Sequence, residues 1–259
     1  MAFLRFAAAV LLLTNLLANP TLTAEPDDLY SSQAIVTGQG EKNRQPGFRD
    51  CLDRVLVKVS GDQRLPKLPQ ADALRAHAGD FVESFSYRDR LAGKPVHDEQ
   101  GTYDRPHDLT CRYDRNTIDD LLAGLGSRPW LSERPTFLIV LDVEKGGQAF
   151  RVTADGMRDL PMRESFALGA APLALRMTFP AASEAARLDA DTARPSDGVL
   201  PLAGNLVWSD ADLGWVATWR LKHDGEAHQW VVRGVNFDEA FRVAMRGAAQ
   251  ILSGNGTPQ

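Results

Sequence analysis

Five histidines, two cysteines and two carboxylates closing an apolar run are the residues of this 259-residue chain whose types could do chemistry. His77, His97, His107, His223 and His228 never fall in an H-E-x-x-H or H-x-x-x-H arrangement, so no helical turn presents a pair of metal ligands. His223 and His228 flank a turn and could approach one another, but a solvated turn is the expectation there. Asp142 and Glu144 close the run TFLIVLDVE; strand ends in α/β sheets often carry ligands or catalysis. With no further ligand at metal spacing, a solvated strand terminus is expected instead. Gly38-Gln39-Gly40 lacks the third glycine of a dinucleotide fingerprint and places acidic Glu41 where a phosphate would sit, so it reads as a glycine turn. No P-loop, G-x-S-x-G or S-x-x-K occurs. No catalytic, cofactor-binding or metal residue is therefore assigned, and no cofactor is expected.

Cys51 and Cys111 take their meaning from the compartment. Residues 1–5 are short and positive, residues 6–18 form an apolar run, and Leu22-Thr23-Ala24 offers cleavage between Ala24 and Glu25. A membrane-spanning helix needs about 20 apolar residues, so this run reads as a signal peptide and the protein as periplasmic. No later stretch is long and apolar enough to span a bilayer. In an exported chain two cysteines are expected to form one disulfide, Cys51–Cys111; without a C-x-x-C they do not point to redox catalysis. The net charge of −5, without a dense basic patch, excludes nucleic acid and anionic lipid as main partners. Another envelope protein is the expected partner, and the oligomeric state stays open.

The elements that must position these residues are organised around residues 28–64. Phe48, Leu52, Val55, Leu56 and Val59 make one apolar stripe at helical period, with Pro46 expected in the first turn and Gly61 at the stop. A second helix is expected through Leu74, Ala78, Phe81, Val82 and Phe85, then a loop or weak hairpin over 86–106. A strand follows with Leu109, Cys111 and Tyr113 on one face, and then a helix capped by Asp114. Residues 127–135 read as an ordered connector. Beyond it come a buried strand (136–143), a helix with Pro161 in its first turn, a strand over 172–179 and a helix over 181–191. Three meander strands and a last helix capped by Asn236, with Glu239 set for a capping box, complete the chain. The fold class is mixed α/β (α+β): signal 1–24, a strand–helix–helix–strand–helix module over 25–130, a second module over 131–253 ending in an antiparallel meander and a helix, and a disordered tail, 254–259. Trp215 and Trp219, four apart on one strand, are expected to face the core.

Several of these marks coincide. LVKVSGD (56–62), the connector's Trp130, Arg134 and Pro135, GWVATWRL (214–221) and WVVRGVNFDEAF (230–241) together resemble the bacterial family called domain of unknown function 2066. That resemblance implies an exported protein without an assigned activity over nearly the whole mature chain. Pro46, Gly47 and Cys51 depart from that family's alanine-rich organising helix. The second half also resembles, more distantly, the N-terminal domain of the periplasmic Tol-system propeller protein. The expected function is a non-catalytic periplasmic module for protein binding or envelope assembly, marked by a shallow apolar groove. The alternative is a periplasmic hydrolase with dispersed residues, marked by carboxylates and histidines in one deep pocket.

Overall fold

The computed structural model describes residues 29–93, 105–189 and 198–258. Residues 1–24 with the Ala24–Glu25 cleavage site, and His97, lie outside them. The fold is mixed α/β, with two sheets, helices packed on each, and a C-terminal helix following the strands.

The first sheet is antiparallel, in the order β1 (Ser31–Thr37), β3 (Pro106–Arg112), β2 (Ser84–Asp89). Along β1, Ser32, Ala34 and Val36 are buried while Gln33, Ile35 and Thr37 are exposed, the alternation of a strand with one covered face. What covers it is α1 (Glu41–Ser60), whose five stripe residues are each no more than 5% exposed. Pro46 lies inside this helix rather than in its first turn. The helix begins at Glu41, with Gly40 as N-cap, so Pro46 removes a bond from the interior of the ladder. Gly47 and Cys51 lie on its buried side. Gly61 ends it in the left-handed region at φ 74°, which only glycine adopts cheaply.

Beyond a short turn, α2 (Pro69–Ala76) stops well before the end of the expected helix. The apolar spacing through Phe85 crosses an element boundary: Gly79 sits in a 3-10 turn, Ala78–Phe81, and Phe85 belongs to β2. Phe85 packs edge-on against Phe48, their centroids 5.4 Å apart, so tertiary contact rather than helical period fixes its place. Helix α3 (Arg115–Gly124) is capped as expected, the Asp114 carboxylate accepting from the Thr117 N–H at 2.9 Å.

The second sheet runs β5 (Gln148–Arg151), β4 (Thr136–Lys145), β7 (Val199–Ser209), β8 (Gly214–His223), β9 (Glu226–Val235), with β6 (Arg176–Thr178) also on β4. Strand β4 is interior and pairs in parallel with β6 and β7, which accounts for its nearly unbroken apolar run. Short β5 was not expected; within 172–179 a 3-10 turn ending at Leu173 precedes β6, and the described part of the helix expected over 181–191 holds the one-turn α5 (Ala182–Ala185). Helices α4 (Leu160–Ala170) and α6 (Phe237–Leu252) cover one face. Phe166 stacks on Phe241 at 4.1 Å and meets Trp219 edge-on at 5.7 Å. Trp215 and Trp219 are 8% and 0% exposed. Asn236 accepts from the Glu239 N–H, but Glu239 does not complete a capping box; its carboxylate bonds Arg242 and Arg246 instead. The two modules hold separate cores, one drawn from residues 30–122 and the other from 130–251. Among the described residues, no helix is long and apolar enough to cross a membrane.

Candidate functional site

A helix leaves its last four carbonyls without intrahelical donors. At the end of α1 each is supplied, and three of the four donors come from beyond residue 125. Val57 O accepts from the Gly61 N–H at 2.7 Å, and Val59 O from the Trp130 N–H at 2.8 Å. Lys58 O accepts from Arg134 Nη2 at 2.7 Å, and Ser60 O from Asn255 Nδ2 at 2.9 Å. Arg134 also donates to Leu173 O and lies 4.3 Å from the centre of the Trp130 ring. Burial pulls its pKa down to about 10, but its positive charge faces the negative end of the α1 dipole. The connector and the tail thus cap the organising helix. Residues 254–258, expected to be disordered, fold back with the Asn255 N–H donating to Gln250 O.

This joint carries an open groove. One compartment of about 480 Å³ lies among Val57, Lys67, Leu168, Leu173, Arg242 and Arg246. A second, of about 350 Å³, continues along β1 past Ser32, Gln33 and Lys58. Arg54, Leu168 and Pro172 line both, so the two compartments are one trough between α1 and α4. Leu168 stands in it 76% exposed, although it is a large apolar side chain. The walls are cationic. Arg54 and Lys67 are exposed, and Arg242 and Arg246 share a single carboxylate, Glu239. Burial opposes the charge of Glu239, but those two guanidiniums hold its pKa below the ordinary value. The acid in the lining, Asp53, is taken up by Arg75 at 2.9 Å.

A separate cavity, about 700 Å³, opens between the connector, the β8–β9 hairpin and the end of α6. It brings together His223 and His228, the pair expected to approach across the turn, with Asp224 and Glu226. The nearest carboxylates belong to the hairpin itself: Asp224 lies 3.4 Å from His223 Nε2, and Glu226 lies 4.0 Å from His228 Nε2. Both carboxylates are at least 80% exposed, as on a solvated turn.

The remaining residues singled out above do not converge. Asp142 is held by Arg151 through two bonds of 2.7 Å, and Arg151 also donates to Ala185 O and Leu188 O. That ion pair fastens a loop to the sheet edge, while Glu144 is exposed. In the Gly38–Gly40 turn, Gln39 gives its amide to His107 Nε2 at 2.9 Å, while His107 Nδ1 donates to Arg105 O at 2.7 Å. His77 is an exposed partner of Asp80. Among the described residues, no group of three or more His, Cys, Asp or Glu side chains is placed to hold a metal ion.

The disulfide expected between Cys51 and Cys111 is absent: both are free thiols, 0% exposed. The Cys51 thiol donates to Ser32 O and Leu109 O, each at 3.7 Å. The neighbouring Cys111 thiol lowers the Cys51 pKa, and the Cys51 sulfur together with burial raises that of Cys111. The pair behaves as two small core residues between α1 and β3.

Fold and site together define a two-module mixed α/β protein with a cation-walled groove at its joint. A family model described as a domain of unknown function (DUF8605) matches residues 23–131. This corrects the resemblance drawn above, because it is a different domain from domain of unknown function 2066. The motifs behind that resemblance are packing patterns, a helix with a glycine stop and an aromatic meander, which unrelated sheets and helices also use. No curated protein and no solved structure matches the chain, so likeness to the Tol-system propeller protein is not shown.

Proposed function

We propose that the chain is an exported, non-catalytic periplasmic protein that binds another envelope protein through the groove at its module joint. The observation that carries this reading is Leu168. It is a large apolar side chain 76% exposed inside a concave, largely apolar trough, where a partner would bury it. The capped end of α1 supports the reading too, because a joint held by three donors from the second module keeps both walls of the trough in register. A photoreactive residue replacing Leu168, activated in intact cells, should form a discrete adduct with one envelope protein. The same residue at Leu213, more exposed still at the β7–β8 turn, should form none. Identical labelling from both positions would overturn the proposal.

A hydrolase is the second reading, favoured by the histidines and carboxylates of the 700 Å³ cavity. It requires that His228→Ala abolish hydrolysis of some ester or amide by the purified protein. Equal turnover by the variant removes it.

A further inference from the structure

The groove differs in charge from the molecule that carries it. The chain as a whole is acidic, at −5, yet the trough is lined by Arg54, Lys67, Arg242 and Arg246. Opposing acids are few. Asp53 is bound to Arg75, and Glu239 faces two guanidiniums at once, leaving that wall with a net positive charge. Arg54 commits Nη1 to Gln33 O at 2.7 Å, a carbonyl that leaves its charge uncompensated. Between the cations the floor is apolar: Val57, Leu168, Pro172 and Leu173.

We infer that the occupant is an extended peptide segment of the partner protein in which apolar side chains are flanked by carboxylates. The inference rests on the binding-module reading and adds the chemistry of the ligand. Charge complementarity selects acids, since cations stand on both walls and would meet carboxylates on either side of a central apolar anchor. The shape selects a peptide over an acyl chain. The trough is open along its length and runs through two joined compartments, so an acyl chain laid in it would keep one side in water. The strand edge beside it is guarded. The β1–β3 register turns the carbonyls of Ser31 and Gln33 outward, and Lys58 and Arg54 occupy them at 3.1 and 2.7 Å. Added-strand pairing is thereby disfavoured, and recognition falls to side chains.

The test is fluorescence anisotropy with the full mature protein. The probe is a labelled octapeptide with two central leucines flanked on each side by glutamates. Control peptides carry lysine in place of glutamate, or serine in place of leucine, and vesicles of anionic phospholipid provide a lipid arm. The glutamate–leucine peptide should bind, and binding should weaken as salt rises. It should weaken about tenfold or more in Arg54→Glu/Lys67→Glu and again in Leu168→Asp, the size of loss typical when a central anchor or charge pair is removed. Unchanged thermal unfolding in the variants is required for those losses to count. Equal binding of the lysine peptide, or preference for the vesicles, overturns the inference. So does the absence of peptide binding in a protein whose residue 168 still crosslinks a partner in cells, and in that case the binding-module reading survives. Failure of the crosslink itself overturns both.

Discussion

Arg134→Met should loosen the joint. The wild-type guanidinium donates to Lys58 O at 2.7 Å and to Leu173 O. Bonds from a charged donor contribute about 1.5–3 kcal/mol each, and a cation at a helix C-terminus about 0.3–1 kcal/mol more. Against this stands the cost of burying the charge. Burial pulls the guanidinium pKa from its ordinary value down to about 10, a penalty of about 3 kcal/mol near neutral pH because each unit is about 1.36 kcal/mol. Methionine relieves that penalty but leaves two carbonyls without donors, so the net loss should be about 1–3 kcal/mol, or several degrees of melting temperature. Arg134→Lys, which can reach one carbonyl but not both, should fall between. Urea unfolding followed by tryptophan fluorescence reads the loss directly. The sign with pH is also set. A base whose pKa is lower when folded binds fewer protons in the folded state, so the wild-type protein gains stability from this residue as pH rises above about 10. The methionine variant should lack that gain. A methionine variant as stable as the parent, or more so, would show that the cap contributes nothing and refute the reasoning.

Other outcomes follow from single contacts. Asp159 is 0% exposed and, although burial opposes its charge, Arg158 and the Thr153 N–H hold its pKa below the ordinary value. Its contribution is therefore present above the ordinary carboxylate pKa and lost as pH falls through the folded value, so Asp159→Asn should cost about 1–3 kcal/mol at pH 7 and flatten the acid limb of a stability–pH curve. Gly204 faces Trp219 so closely that a Cβ there would lie 2.1 Å from the ring. Gly204→Ala should cost about 1–3 kcal/mol and alter the near-ultraviolet circular dichroism of the tryptophans. Unfolded without reductant, the protein should yield two alkylated cysteines, and Cys51→Ala should cost about 1 kcal/mol rather than the roughly 4 kcal/mol of a closed loop. Absence of alkylation would show that the bond had formed.

What was legible in the chain was whatever a single element states about itself. The α1 stripe and its Gly61 stop, the meander turns, the unbroken apolar β4 and the Asn236 cap each follow from local period or local sterics, and each is present. The misreadings come where tertiary contact overrides period. Phe85 continued a helical spacing but pairs with Phe48 from a strand, and Glu239 sat at a capping-box position but answers to Arg242 and Arg246. The groove had no local signal. Its walls come from α1, α4 and α6, and Leu168 lies in an apolar stretch that reads as core until the helix packs and leaves it outside. Arg134 was visible as part of a connector motif. Its role was not, because the carbonyl it caps lies 76 residues away.

The most direct test of the account is the affinity of the partner captured at residue 168, purified and titrated calorimetrically into the wild-type protein and into Leu168→Asp. A charge on the apolar anchor should weaken binding about tenfold or more, with the same thermal midpoint, because Leu168 is already 76% exposed and contributes little to the core. Equal affinity for both proteins would contradict the assignment of the groove as the binding site.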